Sequence, residues 1–126
     1  MRFGTINYNG KPTAIMQGED NKARLMADIC KKSGIPPIHS ILELIELEDK
    51  DILNQLSLSV SSVEPIEDSL LDWLPPVTKP SKILGVAFNN KELMKQAHFD
   101  PGVPNYFLKP PSALQGNGKP IRIDPS

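Results

Sequence analysis

Between Lys82 and Gly118 the chain reads KILGVAFNNKELMKQAHFDPGVPNYFLKPPSALQGNG, and no other stretch gathers chemistry-capable side chains and chain-breaking residues so densely. His98 has an imidazole that can take or give a proton near neutrality, and it also stands where a loop histidine can bond backbone groups. Lys109 lies in a run of large apolar residues restrained by Pro110-Pro111, so its ammonium could pair with an anionic group; solvation at a strand edge is the plainer reading. No metal cage is spelled out. The acids after Lys82 are Glu92, Asp100 and Asp124, in a helix, a proline turn and the terminus, whereas a hard cation needs converging oxygen ligands. Glu46 and Glu48 stand two apart in a helical stretch, where side chains diverge. Cys30, the single cysteine, excludes an internal disulfide and a cysteine-based zinc cage, and its helical spacing from Ala23 and Ala27 predicts a buried thiol.

Short elements must hold these groups. Ile83–Phe88 is an apolar run of the length of a buried strand, and Asn89 and Asn90 suit leaving a strand and capping a helix. A helix is expected over Lys91–Ala97, with Leu93, Met94 and Ala97 on one side, ended by Pro101-Gly102 and Pro104. Asn105–Lys109 then reads as a second extended piece, which Pro110-Pro111 terminates.

G-V-A-F-N-N, a short helix, N-Y-F-L-K-P-P-S-A-L and a G-N-G-K-P-I tail together resemble the opening of the catalytic domain of the fumarylacetoacetate hydrolase family, in which a G-x-N-Y segment is followed by F-L-K-P-x-S-A. The resemblance covers about a third of the chain. It implies an α+β protein: a small hairpin-plus-helices accessory domain at 1–76, a hinge at 77–81, and at 82–126 the first strands and helix of a mixed β-rich, roll- or sandwich-like catalytic domain that is incomplete. It further implies a metal-dependent hydrolase or lyase acting on 2-oxo or β-diketo acids by carbon–carbon cleavage, decarboxylation or isomerisation. The Mg²⁺ or Mn²⁺ of such an enzyme is held by a Glu-x-Glu pair and a distant Asp located beyond the last residue here, so the chain alone is expected to bind no cofactor and to be inactive. Asn89, Lys109 and Ser112 are the substrate-side positions that the resemblance implies, and His98 is the remaining catalytic candidate. The pattern departs from the family at its water-activating dyad. With Asn89 on the motif asparagine, Leu93 stands at the histidine position and Gln96 at the glutamate position, and Asn90 replaces the tyrosine. The competing reading is a non-catalytic binding or assembly module of the same descent. Expected partners are a small 2-oxo acid and either a second copy or a C-terminal segment that completes the sheet around Ile83–Phe88 and Asn105–Leu108.

The preceding chain reads as a scaffold. Arg2–Tyr8 and Lys11–Gln17 flank Asn9-Gly10, a strong hairpin signal. Asp20 or Asn21 is expected to cap a helix with Leu25, Met26 and Ile29 on one face, stopped by Gly34. Ser40 and Glu43 have capping-box spacing, and Asp49 suits recapping a second helix after the break at Glu48. Ser57–Ser69 is expected to cross the surface, with Val60 and Val63 available to a short strand; Trp73 is expected to anchor packing between the lobes. Gly116-Asn117-Gly118 is a turn, and Ile121 and Ile123 alternate as a strand would. The 126 residues allow one modest core or two small lobes. A net charge of −1 and the lack of a basic stripe argue against nucleic acid, and no apolar run approaches a membrane span or signal core, so a cytoplasmic location is expected. Charge is uneven nonetheless: from Glu43 to Asp72 every charged residue but Lys50 is acidic, whereas from Lys79 to Arg122 all but Glu92 and Asp100 are basic. Solvated faces are the plain reading, a basic half around an anionic substrate the alternative.

Overall fold

The computed structural model describes residues 1–121 and 123; the alternation expected around Arg122, and Asp124, lie outside the described residues. Helix and strand are mixed in an α+β arrangement. Two compact units form, Met1–Thr78 with Gln115–Ser126 and Lys79–Leu114.

The first unit is built on a hairpin. Strands β1 (Arg2–Tyr8) and β2 (Lys11–Gln17) pair from Arg2↔Gln17 to Tyr8↔Lys11. Asn9 and Gly10 both take positive φ, 51° and 77°, the geometry a two-residue type I′ turn demands. Strand β3 (Ala23–Leu25) pairs with β2 and β4 (Trp73–Leu74) with β1, giving the antiparallel order β3-β2-β1-β4. Adjacent residues of β2 point to opposite faces, and both faces are covered. Ala14 and Met16 pack with Met26, Ile29, Cys30, Leu44, Leu56 and Val60 on the helical side, while Ile15 joins Ile6, Ala23 and Ile66 on the other, with Leu71 and Trp73 against them. Cys30 is the buried thiol expected, its pKa raised by burial.

The helices α1 (Met26–Ser33), α2 (Ile41–Leu47) and α3 (Lys50–Ser59) lie where the capping residues put them. Gly34 stops α1 at φ 71°. The amide of Glu43 donates to Ser40 Oγ at 3.1 Å, while the returning carboxylate accepts from the amide of His39 at 2.7 Å, one residue outside the box. Asp49 Oδ1 accepts from the amides of Asp51 and Ile52.

Three expectations fail here. Asp20 and Asn21 do not cap α1, whose N-cap is Leu25 without a side-chain bond. Ala23–Leu25 is drawn into the sheet instead, and Asp20 is engaged by Arg24: the almost fully buried guanidinium donates to Asp20 Oδ1 at 2.9 Å and Oδ2 at 2.6 Å, to the carbonyl of Lys22 at 3.0 Å and to that of Val63 at 2.7 Å. Val60 is not strand but opens a 3-10 turn, Val60–Ser62, that continues α3 and buries its side chain. Ser57–Ser69 is correspondingly not all surface: Ile66 is buried, and its amide donates to the carbonyl of Ala23 at 2.7 Å.

In the second unit, β5 (Ile83–Ala87) and β6 (Asn105–Lys109) form a two-stranded antiparallel ribbon, with α4 (Lys91–Ala97) in the connection. The apolar run of β5 is not the buried strand expected. Leu84 and Val86 are exposed and lie opposite exposed Leu108 and Tyr106, because in this ribbon each strand has one neighbour.

The Arg24 guanidinium bonded to Asp20 holds that carboxyl down to about 2, from 3.8. A depressed carboxyl stabilises the fold fully above its unfolded pKa and loses that contribution as pH falls through its folded pKa. The urea midpoint is therefore expected to fall between pH 4 and 2, and Asp20→Asn to be weaker at pH 6 with a shallower fall. An unchanged acid slope in Asp20→Asn would refute the assignment.

Candidate functional site

Residues from both ends of α4 meet at the C-terminal end of β5. There the chain turns sharply: Phe88 takes φ 51°, rare for a bulky side chain, and Asn90 caps α4 by accepting from the amide of Glu92 at 2.8 Å. Beyond α4, Phe99 returns to pack edge-on against Phe88, ring centroids 5.1 Å apart and planes at 68°, a favourable aromatic geometry. Asp100 Oδ1 then accepts from the amide of Gly102 at 2.9 Å, and Gly102 takes φ 66°, so the D-P-G sequence closes its own turn. Between strand end, helix and turn opens a cavity of about 410 Å³ lined by Ala87, Phe88, Asn89, Met94, Asp100 and Val103 among others. Its wall is mainly apolar, with one carboxamide, Asn89, and one carboxylate, Asp100. Such a pocket can take a small molecule, the carboxamide offering a donor and an acceptor and the carboxylate an acceptor.

The site candidates are not all gathered there. Asn89 lines the cavity; His98, Lys109 and Ser112 are not among its lining residues. His98 is the C-cap of α4, in the left-handed conformation at φ 51°. Its amide donates to the carbonyl of Lys95 and that of Phe99 to the carbonyl of Met94, so α4 ends on its own cap rather than at Pro101 or Pro104. The ring is exposed, with Nδ1 3.1 Å from the carbonyl oxygen of Gln96. Of the apolar side expected of α4, Met94 alone is partly buried; Leu93 is exposed.

Lys109 lies at the opposite end of the ribbon. Register decides this: Ala87 pairs with Asn105 and Ile83 with Lys109, so Lys109 is four residues along β6 from the cavity end, roughly 13 Å at strand rise. Its ammonium stands 5.8 Å from the centroid of the Phe107 ring, a cation–π distance, and that ring covers the face of Gly85 across the ribbon. Ser112 follows in the exposed 3-10 turn Pro111–Ala113. Asp100 is the lining group that sequence reasoning missed as a site residue, since an acid before Pro-Gly reads as a turn former. Among the described residues no three His, Cys, Asp or Glu side chains gather as for a metal ion, and no helix is long and apolar enough to cross a membrane. No family model, curated protein or solved structure matches the chain.

If His98 acts mainly as a left-handed cap, His98→Gly should stabilise the second unit by up to ~1 kcal/mol, since glycine meets no Cβ penalty there, and His98→Val should destabilise it. Amide exchange at Phe99 reads this out. Faster exchange in the glycine variant would show that the ring contact with Gln96, rather than the backbone conformation, holds the helix end.

Proposed function

We propose that the protein is of the fumarylacetoacetate hydrolase type and serves the chemistry of 2-oxo or β-diketo acids, by carbon–carbon cleavage, decarboxylation or isomerisation. The observation that carries this reading is the cavity at the exit of β5, where the motif residue Asn89 faces the same space as Asp100. In this reading the Asn89 carboxamide donates to a substrate oxygen, and Phe88, Met94 and Val103 supply apolar contact. Lys109 and Ser112 serve a different point, because the ribbon register separates them from Asn89; an extended substrate, or one bound across a larger site, would be needed to engage both.

The Mg²⁺ or Mn²⁺ that such chemistry uses finds no fitting donor set among the described residues: Asp100 is the sole carboxylate of the cavity, and one of its oxygens already accepts from Gly102. No catalytic step is assigned through a metal here. A second reading, a binding or assembly module of the same descent without catalysis, is favoured by the positions of His98 and Lys109, one committed to a helix cap and the other remote from the cavity.

Turnover of oxaloacetate and of acylpyruvates with Mg²⁺ or Mn²⁺, measured in a chain extended by a segment that supplies the metal's carboxylates, separates the two. In the enzyme reading, Asn89→Ala lowers kcat/KM by about 10- to 100-fold, the ~1.5–3 kcal/mol of a hydrogen bond to a charged group. Oxalate should shift the amide resonances of Asn89 and Asp100 in either reading; oxalate binding without turnover favours the module, and absence of both rejects the site.

A further inference from the structure

Helix α2 carries more apolar side chains on its outside than the core uses. Ile41 and Leu44 are buried, whereas Leu42, Ile45 and Leu47 are 44 %, 57 % and 46 % exposed, at positions a solvated helix gives to polar residues. Beside Leu47 opens a groove of about 310 Å³ walled by the Ile35–Ile38 segment, Leu47 and Ile52, and its charged lining residues are Glu43 and Glu46.

The acids around this groove stand where the helix favours cations. α2 has no basic residue in its last turn, and Glu46, Glu48, Asp49 and Asp51 cluster at its carbonyl end, which itself bears partial negative charge, with Lys50 the one base among them. Glu43 and Asp49 have local work as caps. Glu46 and Glu48 have none of the ion pairs among the described residues, which join Lys22 to Asp68, Arg24 to Asp20 and Lys119 to Asp72. An apolar pit with two carboxylates in its wall, and a net excess of acids beyond it, selects for apolar groups flanked by positive charge and disfavours an anionic surface.

We propose that this groove is a docking site for a short peptide segment of a partner protein, which inserts one or two apolar side chains and carries Lys or Arg on both sides. The inference is independent of the 2-oxo acid reading, which concerns the other unit. The volume, near the lower end for ligand pockets, suits side chains rather than a whole folded element.

Capped hexapeptides KKLLKK and EELLEE, titrated into isotope-labelled protein, test it by amide chemical shifts. KKLLKK is expected to move Ile38, Glu46, Leu47 and Ile52 together, and to bind about tenfold more weakly in 0.5 M than in 0.05 M salt as screening shortens. EELLEE should leave them in place. Glu46→Lys, a change at an exposed helical position, should reverse the preference between the peptides by about tenfold, with the undisturbed remainder of the spectrum reporting an intact fold. No shift with either peptide, equal shifts with both, or shifts mapping elsewhere would overturn the proposal. So would groove shifts that follow protein concentration without peptide, which would assign the face to a second copy.

Discussion

The first unit depends on one buried cation. Arg24 occupies the middle of a three-residue strand, and its guanidinium reaches both oxygens of Asp20, the carbonyl of Lys22 and the carbonyl of Val63. A guanidinium in such a place is tolerable only when its donors are met, and the bidentate carboxylate meets them with the best geometry available. Two consequences follow for the chain. The turn between β2 and β3 is pinned, and the segment after Val60–Ser62 is tied to the sheet before it crosses the second face. The amide of Ile66 can then donate to Ala23, and Asp72 presents its carbonyl to the amide of Asn7, which brings Trp73–Leu74 against β1. The buried side of the sheet opposite the helices is thus assembled from residues remote in sequence, with Arg24 at its entry.

The second unit obeys a different constraint. A two-stranded ribbon is marginal alone in water, and this one adds a short helix, an aromatic pair and an aromatic ring laid over Gly85. Both strand edges away from the partner keep unpaired groups, and Leu84, Val86, Tyr106 and Leu108 present a continuous apolar face. A structure of that kind gains by acquiring neighbours.

The legible parts of the sequence were those in which one residue decides its own conformation. Asn9-Gly10, Gly34, Ser40 and Asp49 each settle a turn or cap locally, and the hairpin and the second and third helices follow from them. Strand β3 was hidden because its three residues carry no pattern; pairing with Ile15 and the Arg24 clamp outweigh the capping tendency of Asp20. His98 was read either as a proton carrier or as a loop histidine bonding backbone groups; it is seated in a left-handed cap, where its own amide and that of Phe99 satisfy the helix end before any proline intervenes. Asn89 could be placed at the strand exit, and its site role came from the resemblance alone. The distance between Asn89 and Lys109 could not be found, since antiparallel register, which sends motif neighbours to opposite ends of a ribbon, leaves no mark in spacing along the chain. Gly116 was legible as a turn residue; that it lies buried against the Trp73 backbone, leaving no room for a Cβ beside the Trp73 carbonyl, was not.

Charge segregation gains a physical sense when set on this fold. Some acids of the first unit are neutralised within it: Asp68 by Lys22, and Asp72 by Lys119, whose ammonium, together with Asn7, lowers the Asp72 pKa. The bases that do this come from a turn and from the returning Gln115–Lys119 stretch, and neither is near the end of α2 in the chain. The acids from Glu46 to Asp51 are left without such partners among the described residues, yet they are exposed, and exposed like charges cost little in water. The fold therefore exerts little pressure either to keep or to remove them. The apolar groove beside them is a separate matter: of the exposed apolar residues of α2, Leu47 lines it whereas Leu42 and Ile45 do not, and none of the three belongs to the core that Ile41 and Leu44 help to fill. Exposed apolar surface and carboxylates coincide at that groove, and these are the two features on which the proposed docking site rests.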